Sequence, residues 1–334
     1  MTKYTLNETP VRTSINFAIN DITLDLDMKP SILKAPIINN SSNVETKIKK
    51  NYTSKIGLNL EEYIETTINI NENTTKPLII NFDVDNYQVN NIILNIEKDI
   101  NAEVILKCNG TGLNFLKVNT NLKEYSNLKL DLINIIDDNS YSFISMENEI
   151  KERASLTYNF IDLGGKVRIS NYQSNLKGYE STNLFNNIYL GTNDDIIDMN
   201  YYVNITGVKS KCNIEVQGAV DDNSKKSFKG TVDFISGCVD AIGEENENCV
   251  ILNDKAVSKS LPMLLCGEES VTGAHGVASG KIDASKLFYL LSRGLSEKEA
   301  KKLIINANFT NILNNLIDDS LKEEILEIIN KKID

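Results

Sequence analysis

The chain contains one histidine, His275, and five cysteines, Cys108, Cys212, Cys238, Cys249 and Cys266. Imidazole and thiolate are the donors that suit iron, zinc and copper, so these residues are the first candidates for metal chemistry. His275 sits in the run Gly273-Ala274-His275-Gly276, whose small neighbours leave the ring sterically open. No CxxC pair occurs, and the separations of Cys249 and Cys266 from His275 match no metal-ligand spacing. Strands stacked about 4.8 Å apart can still bring distant residues together, so spacing alone does not exclude a shared site. The bland reading makes the histidine a structural hydrogen-bonding residue and the cysteines small buried hydrophobes.

Other chemistry finds less material. The sequence has no GxxxxGK[ST] phosphate loop, so ATP hydrolysis is not expected of this chain. One histidine and no nucleophile elbow leave nothing for an acyl-transfer triad. The carboxylate pairs Asp194-Asp195, Asp221-Asp222 and Glu244-Glu245 have the composition of glycosidase or lyase acids, which keeps a carbohydrate-active β-solenoid enzyme as the rival class. In an acidic chain with polar loops they read more simply as solvated turns. With 46 acidic against 35 basic residues the net charge is −11, which disfavours nucleic acid and anionic lipid as partners.

The opening MTKYTLNETPVRTS lacks the apolar core of a secretory signal, and no apolar run approaches the roughly 20 residues needed to span a bilayer. An odd number of scattered cysteines argues against a disulfide framework. A cytoplasmic protein with reduced thiols is the expectation, and the glycosylation pattern Asn51-Tyr52-Thr53 is then a chance product of composition.

The elements that must position His275 fall into three textures: a mixed segment over residues 1–65, a β body over 66–283 and a helical tail over 284–334. In the first, a short helix is expected near Leu58–Thr66. In the second, apolar residues alternate, as in Leu78, Ile80, Phe82 and Val84, in Leu128, Leu130 and Leu132, and in Leu156, Tyr158 and Phe160. Period two marks strands with one buried face. Turn-rich pieces separate them: Cys108-Asn109-Gly110-Thr111-Gly112, Asp137-Asp138-Asn139-Ser140, Leu163-Gly164-Gly165 and Asp221-Asp222-Asn223-Ser224. So many strands in series must close or coil to hide their edges, and a β-solenoid and a β-sandwich both do so. No strict repeat decides between them.

In the tail, Asp283 can N-cap a helix carrying Leu287, Phe288, Tyr289, Leu290 and Leu291, with Arg293-Gly294 as its stop. Ser296-Glu297-Lys298-Glu299 is a capping box, followed by Ala300, Leu303, Ile304 and Ala307 at helical spacing. Ser320-Leu321-Lys322-Glu323 is a second such box, opening a helix with Ile325, Ile328 and Ile329 on one stripe. Leu287, Phe288, Leu290 and Leu303 are expected in the core of this bundle, which reads as a self-contained unit.

The run from Leu252, LNDKAVSKSLPMLLCGEESVTGAHGVASGKIDASKLFYLLSRGLSEKEAKKLI, resembles the C-terminal signature of the SufB/SufD family of iron–sulfur cluster assembly scaffolds. Leu163-Gly164-Gly165, Leu176-Lys177-Gly178, Tyr189-Leu190-Gly191 and Phe228-Lys229-Gly230 fall at similar glycine-bearing turns, and Thr9-Pro10-Val11-Arg12-Thr13 is similar to the opening of short members. The resemblance implies a right-handed parallel β-helix body with a C-terminal helical domain. It also implies a SufB-like partner subunit and a SufC-like ABC ATPase docked on the tail, with Leu287, Arg293, Gly294 and Leu303 in the docking region. His275 would face the partner near the nascent cluster, as a ligand to iron or to a transient iron–sulfur cluster, with Cys249 and Cys266 as weaker candidates. Ala274 and Gly276 flank the histidine where SufB-type chains carry acids, and Glu247 stands at the SufB-type scaffold cysteine. Both features are SufD-like. A self-pairing SufB-like homodimer is the alternative within the family, and no tightly bound cofactor is expected in the isolated chain.

Overall fold

A computed structural model describes residues 2–9, 19, 23–26, 33–39 and 44–333. Pro10 to Thr13, part of the N-terminal resemblance, lie outside the described residues. Strands β1 (Thr2–Thr5) and β2 (Thr23–Leu26) form a small antiparallel sheet of their own. All other strands belong to one sheet that coils into a β-solenoid of about 8 turns.

The coil begins with β3 (Ile37–Ile38), β4 (Val44–Thr53), β5 (Asn59–Ile70), β6 (Leu78–Ile96) and β7 (Asn101–Leu122). The helix expected near Leu58–Thr66 is instead strand β5, antiparallel to β4 and parallel to β6. Its alternating residues Leu60, Ile64, Ile68 and Ile70 are buried, and pairing on both edges overrides the helix preference of Glu61 and Glu62. A boundary at residue 66 therefore falls inside a strand.

Strand β7 shows how the coil closes. Its first half pairs with β8 (Asn127–Asn134) on one wall and its second half with β9 (Tyr141–Ile150) on the other. The bend is the Asn109–Gly112 stretch read as a turn, where Gly110 has φ +96° and a Cβ would lie 2.2 Å from the Val84 carbonyl oxygen. Only glycine fits there.

From here the walls grow by alternate strands, all parallel. One wall stacks β8, β10 (Ser155–Asp162), β12 (Thr182–Gly191), β14 (Lys211–Val220), β16 (Ala241–Ile251) and β18 (Val271–Lys281). The facing wall stacks β9, β11 (Val167–Leu176), β13 (Ile196–Ile205), β15 (Lys225–Phe234) and β17 (Val257–Cys266). One turn consumes about 28 residues, the separation of the stacked pair Asn134 and Asp162. At one corner Tyr125, Arg153, Glu180, Lys209 and Asp240 all adopt left-handed φ, and the amide of each donates to the next turn. In-register stacking makes every side chain part of a ladder running the length of the body, with inward ladders forming the main apolar core.

Helices α1 (Ala284–Ser292), α2 (Glu297–Leu313) and α3 (Asp319–Lys332) follow. Asp283 caps α1, and Ser296 with Glu299 forms the capping box of α2. The cap of α3 is Asp318, which accepts from the Ser320 amide at 2.8 Å, in place of the expected Ser320 box. The tail is not self-contained. Ile305, Phe309, Ile312 and Leu313 of α2 and Ile325 and Ile329 of α3 share a core with the outward residues Ile133, Ile161, Ile188, Leu190 and Ala219 of the first wall. Asp131 fastens this packing: it accepts from the Ile317 amide at 2.6 Å and from Asn159 Nδ2 at 2.7 Å. Burial pushes its carboxyl up to about 6 against those bonds.

Candidate functional site

The inward ladder that ends at His275 runs Leu130, Tyr158, Phe185, Ile214, Glu245, His275. Its first four rungs are fully buried hydrophobes. The chemistry changes at the fifth. Glu245 is also fully buried, and neither of its oxygens has a hydrogen-bond partner among the described residues. A Cβ at the facing Gly230 would lie 1.9 Å from Glu245 Oε1, so the carboxylate reaches across the interior onto the opposite wall. Burial, with the neighbouring charge of Glu247 adding to it, pushes this carboxyl up to about 8. On the sixth rung His275 is exposed, because β17 and β18 are the ends of the sheet path and the last turn is open.

The adjacent ladder, Leu132, Phe160, Asn187, Val216, Glu247, Val277, already polar at Asn187, also carries an acid at the fifth rung. Glu247 pairs with Lys226 of the facing wall, and both side chains are fully buried. Tyr189 Oη donates to Glu247 Oε1 at 2.8 Å, Ser260 Oγ donates to Oε2 at 2.6 Å, and Lys226 Nζ donates to Ser260 Oγ at 2.9 Å. A buried ion pair is tolerable only when its remaining valences are met in this way. The Tyr189 ring reaches the pair over Gly218, where a Cβ would lie 2.0 Å from Cζ. These two ladders thus hold one satisfied ion pair and, beside it, one acid with no hydrogen-bond partner among the described residues.

The structure separates the other candidates from His275. Cys249 is buried on a third ladder beneath Ser279, four residues along β16 from Glu245, or about 13 Å at strand rise. Burial raises its thiol, which suits a packed side chain. Cys266 is exposed at the far end of β17. Among the described residues no three His, Cys, Asp or Glu side chains converge to hold a metal ion.

The tail candidates do not behave as core. Leu287 and Leu290 are half-buried, whereas Phe288 is 73% and Leu303 50% exposed, and α1 buries no residue at all. Helix α2 is apolar on more than one side, and Ile305 and Phe309, not Leu303, face the sheet. Arg293 is the C-cap of α1 and lies over the Tyr289 ring, and Gly294 follows at φ +94°. The carboxylate pairs are likewise only partly turns. Asp195 is buried against Arg168 at 3.0 Å, and Glu245 lies mid-strand.

Sequence reading took Glu245, with Glu244, for a solvated turn and did not single out Lys226. The signal available was the alternation Ala241, Gly243, Glu245, Glu247, Cys249, which puts both acids on the inward face of a strand.

Residues 79–308 match the family model described as SUF system FeS cluster assembly, SufBD core domain. The chain therefore belongs to the SufBD family. It is 24% identical over 213 residues to the iron–sulfur cluster assembly protein SufD of Escherichia coli, covering 62% of this chain and 50% of that one. It is 29% identical over 127 residues to SufD of Bacillus subtilis, covering 38% and 29%, and 30% identical over 148 residues to a SufBD family protein of Pyrococcus horikoshii, covering 43% and 32%. The chain thus matches half or less of the length of these curated relatives.

Proposed function

We propose that the chain is a SufD-like scaffold subunit of an iron–sulfur cluster assembly complex. It pairs through the open end of its solenoid with a SufB-like subunit, and it presents α1 and the outer side of α2 to a SufC-like ABC ATPase. The cluster is cargo, assembled at the junction, and ATP hydrolysis belongs to the partner. The observation that carries this reading is the unfinished last turn. Strands β17 and β18 offer edges that no other strand pairs with among the described residues, and His275 stands among their exposed residues within the family-matched region. Exposed Phe288, Tyr289, Leu291 and Leu303 supply apolar surface for the second contact.

With no set of three convergent ligands among the described residues, this chain contributes His275 and the partner completes the ligand set. A self-sufficient SufB-like homodimer fits less well, because Glu247, standing at the SufB-type cysteine, is buried and already engaged by Lys226.

Co-expression with SufB-like and SufC-like chains tests the reading. All three are expected to co-elute, and His275→Ala should lower cluster yield several-fold while leaving pairing and ATPase capture intact. Normal assembly by the alanine variant would remove the ligand role. Failure to bind either partner would remove the scaffold assignment.

A further inference from the structure

We propose that Glu245 and His275 together form a binding site for one divalent first-row transition-metal ion, just inside the open end of the solenoid. The starting point is a carboxylate with no counterpart. Glu245 is fully buried, and both of its oxygens lack a donor among the described residues. Glu247, on the same strand, carries the same charge, and Lys226 is already engaged by Glu247 and Ser260. The facing wall offers Gly230 and, one rung above it, Pro262, and neither side chain can donate. A buried carboxylate left without a donor or a cation is costly, and the rung below it is an ordinary Ile214. Nothing in the packing of the ladder demands an acid here.

What can reach Glu245 is set by the stacking. His275 is its register partner on the next parallel strand, on the same face and about 4.8 Å away along the stack. Gly273 points inward, since a Cβ there would lie 3.1 Å from Phe234, and alternation then sends His275 inward as well. No further strand covers β18 among the described residues, so an ion reaches the imidazole directly from solvent, and Glu245 joins it by turning from Gly230 toward the mouth. Metal–nitrogen and metal–oxygen bonds of about 2.0–2.2 Å let one ion bridge that spacing. An imidazole nitrogen with a carboxylate oxygen suits Fe(II), Co(II), Mn(II) or Zn(II). Because no third protein donor converges among the described residues, the ion keeps open positions for water or for donors from a partner. That is the property of a loading site. The proposal deepens the assembly reading and rests on it only in taking ferrous iron, as cargo, for the physiological ion.

The test is anaerobic titration of the full-length, metal-free chain with Co(II) alone, followed by calorimetry and visible absorption. Wild type is expected to bind one ion per chain. Glu245→Gln and His275→Ala should each weaken binding about tenfold or more, and Glu269→Gln, an exposed acid of the preceding turn, should not. Glu245→Gln keeps the shape and removes a buried carboxyl that has no donor, so without metal it should melt no lower than wild type. Co(II) should raise the melting temperature of wild type and leave that of Glu245→Gln unchanged. Absence of binding by wild type, undiminished binding by Glu245→Gln, or a thiolate-to-cobalt charge-transfer band placing the ion on Cys266 would each overturn the site. Co(II) binding as described in a chain that captures no partner and supports no cluster assembly would uphold the site and sink the assembly reading.

Discussion

Two rungs of one ladder show how the middle of the solenoid differs from its open end. Phe185 lies between Tyr158 and Ile214 and stacks on Tyr172 with ring centroids 3.9 Å apart, while two rungs further on Glu245 lies between Ile214 and an exposed His275. The backbone ladder is the same at both places. In the middle, mostly apolar side chains fill the inside, interrupted by the buried Arg168–Asp195 pair, and α2 and α3 cover the outside of one wall. At the end, two neighbouring inward ladders carry Glu245 and the Glu247–Lys226 pair, β17 is half-buried and β18 is mostly exposed. Stability is therefore concentrated where the core is apolar and the wall is covered, and the polar residues of the mouth sit where the last strands are exposed.

The widest test of this contrast is truncation on one ladder against truncation at the mouth. Phe185→Ala should cost about 3–5 kcal/mol in denaturant unfolding. Val277→Ala, on the last strand and already exposed, should cost less than about 1 kcal/mol in the isolated chain. Equal losses would mean that the end is as closed as the middle.

A smaller effect is expected from the acid that ties the tail to the wall. The Asp131 carboxyl titrates near 6 in the fold against 3.8 ordinarily, so the fold favours its protonated form. Its stabilising contribution is complete below about pH 4 and is lost as pH rises through 6, a change of up to ~3 kcal/mol. Asp131→Asn should flatten the melting temperature over that window relative to wild type. An unchanged profile would mean that the carboxylate is not burdened by its burial.

Least visible in stability is the bare helix. Phe288→Ser should shift unfolding by no more than about 0.5 kcal/mol, because the side chain is 73% exposed, yet weaken capture of a SufC-like ATPase several-fold. Loss of stability without loss of capture would reassign α1 to the core.

Alternation at Leu78–Val84 and Leu156–Phe160 made the strands readable, because inside and outside differ sharply there. The coil itself was not readable from pattern. A ladder such as Leu130, Tyr158, Phe185, Ile214 conserves an apolar filling and no residue type, so stacked positions show no repeat. Only the resemblance to known scaffolds pointed to a solenoid. The caps of α1 and α2 were legible because capping is local chemistry between Asp283, Ser296, Glu299 and nearby amides. The face of α2 was not, since Leu303 and Ile305 are equally apolar and only the distant residues Ile161 and Ile188 decide between them. His275 stood out by its rarity. Glu245 was hidden by its type: beside Glu244 it reads as a solvated turn, and only register shows it under the histidine.

Parallel stacking also makes the body a ruler. The seat of the helices includes Ile188 and Leu190 of β12, and the histidine lies on β18, three strand spacings further along the same wall, which is about 14 Å. That distance can change only in whole steps of about 4.8 Å, each requiring the gain or loss of a complete turn. A partial insertion bulges at a corner and leaves the measure untouched. The separation between the helical seat and the mouth is thus counted out by the chain, turn by turn, and is insulated from the drift in loop length that would blur it in a less regular fold.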